Sequence, residues 1–151
     1  FLTSEALYIM KKIAVVYWSG TGHTEQMAQQ VAAGIQEAGA NPEIIAAAEF
    51  SASLVGSFDA IAFGCPAMGA EELESDEFAP LFEACLPLLR GKPIALFGSY
   101  GWGDGEWMRS WEDSCTQGGA MLSAASVICQ EAPDEEAVAS CKALGRALAE
   151  S

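Results

Sequence analysis

The string KKIAVVYW at residues 11–18 is the feature that most narrows what this chain can become. From Ile13 to Trp18 there is no polar position on alternate residues. A strand with one wet face alternates; one without alternation is buried on both faces, as in a parallel sheet covered by helices. Directly after SGTGH the period changes. Met27, Val31, Ile35 and Ala38 fall on one face of a helix that ends near Gly39. Further strand-like runs follow at PEIIAA (42–47), DAIAFGC (59–65), KPIALFG (92–98) and AASVIC (124–129). Helical patterns separate them at about 76–89, 105–117 and 134–149, the last with Asp134 as N-cap and a stripe of Val138, Cys141, Leu144 and Leu148. Strands alternating with helices predict an α/β fold, a three-layer, doubly wound, five-stranded parallel sheet with right-handed crossovers.

At 151 residues the chain is long enough for one domain with a sizeable core. No apolar run approaches the length of a membrane span, so no membrane insertion is expected. The nine residues FLTSEALYI precede Met10 without a basic n-region or a cleavage site. Residues 1–10 therefore read as an extension or tag remnant, and 11–151 as the domain. Five cysteines, an odd number with no C-x-x-C pair, argue against a disulfide framework and against a metal site. A reducing cytoplasm is the expected setting. A formal charge of −14 excludes nucleic acid as a partner. Acid runs at EELESDE (71–77) and DGE (104–106) fall beside suspected loops, where they would steer basic protein partners.

In doubly wound sheets ligands bind beyond the carboxyl ends of the strands. The segments leaving strands one, three and four are SGTGHT (19–24), PAMGAEEL (66–73) and SYGWGDGE (99–106), and together they form one rim. The first offers the hydroxyls of Ser19, Thr21 and Thr24 with Gly20 and Gly22 at a helix N-terminus, a place for a phosphate. It lacks the lysine of a Walker A loop, and Glu25 stands where a dinucleotide fingerprint needs its third glycine. A phosphate there would be held by neutral donors, its charge uncompensated. The second loop presents Met68 and Gly69. The third sets Trp102 between Gly101 and Gly103, which places the indole on a turn beside Tyr100, as a cap on the core or as a surface for something flat. Such a rim suits a flat, phosphorylated aromatic ligand.

YWSGTGHTE, GCPAMGAEELE and LFGSYGWGDGEWM carry a resemblance. From about residue 11 to the end the chain resembles the flavodoxins, specifically their short-chain, clostridial type. The resemblance implies strand order 2-1-3-4-5, non-covalently bound FMN and low-potential one-electron transfer between semiquinone and hydroquinone, with no catalytic residues. It implies a cofactor site of Ser19, Gly20, Thr21, Gly22, His23 and Thr24 around the phosphate. Pro66, Ala67, Met68, Gly69, Ala70 and Glu71 would line the inner face and edge of the ring. Ser99, Tyr100, Gly101, Trp102, Gly103 and Asp104 would make the third loop, with Trp102 stacked outside. It also implies reductases and oxidoreductases with basic docking surfaces as partners, and a monomer. An FMN-dependent NAD(P)H:quinone reductase on the same fold is the alternative. A receiver domain needs acids after strand one, where this chain has YWSG. Two positions depart from the family: His23, the sole histidine, stands where asparagine is common, and Ala70 where a polar residue is expected. Met68-Gly69-Ala70-Glu71 reads as a four-residue turn whose central peptide flips, with Ala70 at the positive-φ position of a type II form.

Overall fold

Strand β1 (Lys12–Tyr17) forms where the unbroken apolar run predicts it, with Ile13, Ala14, Val15 and Val16 wholly buried. The structure, a computed structural model, describes residues 10–151; segment 1–9, read above as part of an extension, lies outside the described residues. Helix α1 (His23–Glu37), strand β2 (Asn41–Ala46) and strand β3 (Ala60–Gly64) follow. Then come helix α2 (Phe78–Cys85), strand β4 (Pro93–Tyr100) and helix α3 (Glu106–Gln117). Strands β5 (Met121–Leu122) and β6 (Val127–Gln130) and helix α4 (Glu135–Ala149) complete the domain. Asp134 caps α4 as expected, its carboxylate accepting from the Ala137 amide at 2.8 Å.

All strand pairings are parallel, and β2, β1, β3 and β4 lie side by side in that order. The fifth position differs in detail from the single strand read at 124–129. It is shared by two segments: β5 pairs with Pro93–Ile94 at the start of β4, and β6 with Phe97–Tyr100 at its end. Between them the chain leaves the ladder, and the Ser126 hydroxyl donates to the Glu112 carboxylate on α3 at 2.6 Å. A tertiary hydrogen bond accompanies the interruption, and strand periodicity does not register it.

Alternate residues of β1 feed two cores. Ala14 and Val16 face α2 and α3, where Trp111 meets Phe78 and Phe82 edge-on at 5.4 and 5.6 Å between ring centroids. Ile13 and Val15 face α1 and α4, where Met27, Val31 and Ile35 meet Cys141, Leu144 and Leu148. These two helices approach to backbone contact. A Cβ on Gly34 would lie 2.1 Å from the Lys142 carbonyl oxygen, and one on Gly145 would lie 2.1 Å from that of Val31. Each glycine makes room for the other helix.

Gly34→Ala and Gly145→Ala should each destabilise the fold, because overpacking costs about 1–3 kcal/mol and outweighs the roughly 1 kcal/mol that alanine gains over glycine in a helix. Gly56→Ala, where an added Cβ meets nothing within 4 Å, is the control and should stay near neutral. Urea midpoints compare the three; equal midpoints for Gly34→Ala and Gly56→Ala would contradict the backbone contact.

Candidate functional site

The first loop turns from β1 into α1 through Gly22, whose φ of +96° is the left-handed conformation glycine adopts without strain. A helix start leaves its first amides without intrahelical partners. Here the Ser19 hydroxyl accepts from the amides of Gly22 (3.0 Å) and Glu25 (3.3 Å), and Thr21 Oγ1 from that of His23 (3.5 Å). Thr24 is used differently. It is 1% exposed, and its hydroxyl shares a 3.0 Å hydrogen bond with that of Ser99, itself 4% exposed, at the end of β4. These two hydroxyls lock the first loop to the third from behind.

One cleft gathers Gly20, Thr21, His23, Pro66, Ala67, Met68, Ser99, Tyr100 and Gly101. A tenth residue, Glu131, was missed in the sequence. It follows β6 directly, so extending the strand-end rule to the fifth strand would have found it. Its φ is +61°, costly for a side-chain-bearing residue, and its carboxylate lies 3.9 Å from His23 Nδ1. Gln130 also reaches the third loop, donating from Nε2 to the Gly101 carbonyl at 3.2 Å.

The second loop corrects the expected turn. Met68 and Glu72 form a two-way backbone pair, 2.8 and 2.9 Å, so Gly69, Ala70 and Glu71 make a three-residue loop and not a turn over 68–71. Positive φ falls on Gly69 (+54°) and Glu71 (+56°), and Ala70 is free of that strain. Glu71 is held there by its carboxylate, which accepts from the Asp104 amide at 3.1 Å. A Cβ on Gly103 would lie 2.0 Å from Glu71 Oε1, so glycine at 103 lets the two loops meet. Asp104 in turn holds Arg109 at 2.9 Å.

Below this loop Glu74 is buried and accepts from the amides of Asp76, Glu77 and Phe78, each at 2.8 Å, fixing the start of α2. Burial pushes its carboxyl pKa up, and the three amides outweigh burial and hold it below the ordinary value. The Cys65 thiol beneath it is pushed up to about 12 by burial and is no nucleophile.

Two large apolar side chains stand exposed at the rim: Met68 at 38% and Trp102 at 65%. The indole is displayed, so it does not cap the core. Trp107, by contrast, is buried, its Nε1 donating to the Cys65 carbonyl at 3.2 Å. None of the seven lysines and arginines lines this cleft. Lys11 reaches the Ser151 carbonyl, Lys12 stacks over Phe58, and Lys92 donates to the Phe58 carbonyl. Arg90 sits at a bridge to Ala120, Arg109 binds Asp104, and Lys142 and Arg146 both bind Glu37. The helix start therefore offers amides and hydroxyls with no lysine or arginine beside them, a donor set that fits a phosphate ester.

The position of strain is testable in the protein without ligand. At position 71 glycine should give a more stable protein than alanine by about 1–2 kcal/mol, since only alanine keeps the left-handed penalty. At position 70 the order should reverse, Ala70→Gly being neutral or destabilising by under about 1 kcal/mol. Denaturant titration of Glu71→Gly, Glu71→Ala and Ala70→Gly decides it; a gain from Ala70→Gly would restore the four-residue turn.

The family model for flavodoxin matches residues 15–144. The flavodoxin of Megasphaera elsdenii is 43% identical over 139 residues, covering 92% of this chain and 99% of that one. The flavodoxin of Clostridium beijerinckii is 42% identical over 135 residues, covering 89% and 97%. The solution structure of the Megasphaera elsdenii protein in its two-electron reduced form superposes with a TM-score of 0.86 at 44% identity, over 92% of this chain and 99% of that one. The strand order 2-1-3-4-5, the rim of three loops and these matches lead to one conclusion: the chain belongs to the flavodoxin family, the FMN-binding electron carriers.

Proposed function

We propose that this protein carries electrons singly, at low potential, between redox proteins that dock with basic surfaces against its three-loop rim. The observation that carries this reading is a helix start without lysine or arginine, at a rim where Met68 and Trp102 are exposed. When bound, FMN supplies a ring that accepts and releases electrons. Ser19, Gly20, Thr21, Gly22, His23 and Thr24 would hold its phosphate, with the Thr24–Ser99 hydrogen bond fixing the cradle. Pro66, Ala67, Met68, Gly69, Ala70 and Glu71 would line one side of the ring. Tyr100, Gly101, Trp102, Gly103 and Asp104 would line the other and exclude water from it.

Gly69 is the conformational element. With positive φ and open space around its Cβ position, its peptide is free to turn, and its carbonyl could then accept a hydrogen bond from a bound ring. Glu71, tied to Asp104, anchors the far side of the loop while that peptide moves. Glu71, Glu72, Asp104 and Glu131 place carboxylates near the rim with Arg109 as the neighbouring cation. Added negative charge on the ring is therefore disfavoured, the condition for a strong donor. The same carboxylates draw in a basic partner. No helix among the described residues is long and apolar enough to cross a membrane, and we place the protein in the cytoplasm as a monomer.

Stepwise dithionite reduction of the FMN-loaded protein, followed by visible absorption, tests the reading. A distinct spectrum at one electron per FMN, without NAD(P)H oxidation on adding a quinone, is expected. Direct passage to the two-electron form with NAD(P)H turnover would favour the quinone reductase instead.

Two binding measurements test the site. Riboflavin, lacking the phosphate, should bind far more weakly than FMN in a fluorescence titration, because the cradle would lose its anion. Trp102→Ala should weaken FMN binding by about 1–2 kcal/mol through lost stacking. It should also raise the potential of the second electron, since water reaching the ring solvates its charge. An unchanged potential would assign Trp102 to packing alone.

A further inference from the structure

We propose that His23 takes up a proton when the cofactor's phosphate binds, so that this chain supplies a titratable cation where the cradle otherwise has none. This rests on the phosphate lying at the start of α1. His23 is the first residue of that helix and lines the same cleft as Gly20 and Thr21. None of the seven lysines and arginines lines this cleft, so its imidazole is the one side chain there that can become positive.

Glu131 decides what that imidazole does. The residue holds a left-handed backbone, φ +61°, against its steric preference, and the Glu131 amide donates to the Tyr100 carbonyl at 2.9 Å. This geometry brings the carboxylate to 3.9 Å from His23 Nδ1. A proton on Nδ1 then leaves Nε2 of a neutral ring as a lone-pair acceptor, which repels an anion. Protonation converts Nε2 to a donor and gives the ring a charge that offsets both Glu131 and the phosphate. A phosphate entering a site that already holds a carboxylate therefore favours the protonated ring.

The other groups around His23 do not supply this charge. Tyr100 of β4 shares the cleft, and on α1 itself Glu25 accepts from the Tyr17 hydroxyl at 3.2 Å. Cys129 of β6 donates to the Glu131 carbonyl at 3.6 Å, and burial pushes its thiol up to about 11, so it stays neutral. Pro66, Ala67 and Met68 of the second loop are uncharged. Only Glu131 and the ring form an exchangeable pair.

The experiment measures FMN and riboflavin dissociation constants from about pH 8 to about pH 5.5, the range in which histidine titrates. The proteins are wild type, His23→Asn and Glu131→Gln. The FMN phosphate also titrates near pH 6 and is coupled to the ring once bound, so the ratio of constants is read together with the NMR titration of the ring itself. For FMN, the ratio of His23→Asn to wild type should rise about two- to fivefold as pH falls, the size of a partly exposed ion pair. For riboflavin the ratio should stay flat. Linkage demands that the proton affinity of the His23 ring, read by NMR, rise by the same factor on FMN loading. In Glu131→Gln the pH profile of the ratio should change, because the carboxylate 3.9 Å from the ring is gone.

A ratio for FMN that is flat across pH, with an unmoved ring titration, overturns the proposal while leaving the cradle intact. An unchanged profile in Glu131→Gln overturns the role of the carboxylate. Equal binding of FMN and riboflavin would remove the phosphate from this helix start, a separate failure that the two-ligand comparison identifies.

Discussion

The hydrogen bond between the buried hydroxyls of Thr24 and Ser99 is the contact on which the rest of the rim depends. One belongs to the first turn of α1, the other to the last residues of β4, 75 positions later in the chain. Removing either partner strands the other in the interior, so the pair holds only when helix and strand are docked. The Ser99 amide also donates to Thr24 Oγ1, at 3.4 Å. The cradle and the third loop thus share one rigid origin. From it the Glu71–Asp104 hydrogen bond reaches across to the second loop.

Rigidity behind and freedom in front are separated by depth. Beneath the rim lie the aromatic contacts of Trp111 with Phe78 and Phe82 and the Glu74 carboxylate that gathers three amides. At the surface, Gly69 keeps open space around it, and Glu71 and Glu131 hold backbone conformations their side chains disfavour. Each of these two glutamates spends its carboxylate on a neighbour from another segment, Asp104 in one case and His23 in the other. Strain is concentrated where segments distant in sequence must meet.

The amino-acid sequence displayed much of this frame. Unbroken apolar runs located β1, β3 and β4 because burial on both faces leaves a simple mark, and SGTGHT announced a helix start through its glycines and hydroxyls. What stayed hidden was set by distant partners. Ala70 attracted attention as the unusual residue, yet strain settled on Glu71 because the Asp104 amide waits for its carboxylate. The fifth strand splits where Ser126 meets Glu112, and Glu131 joins the cleft because β6 ends beside β4. Hydrophobic period carries no record of such pairings, and a left-handed backbone at a glutamate has no sequence signature.

The distribution of the cations has a consequence for the molecule as a whole. Lys11, Lys12, Arg90 and Lys92 stand at the amino ends of β1 and β4, whereas Glu71, Asp104 and Glu131 crowd the opposite end. Parallel strands give the molecule a head and a tail, and these charges differ between the two. They contribute a dipole along that axis, negative toward the rim of three loops. In the field of a positively charged surface such a body experiences a torque as well as an attraction. It turns before it touches, and fewer encounters are wasted on the wrong face.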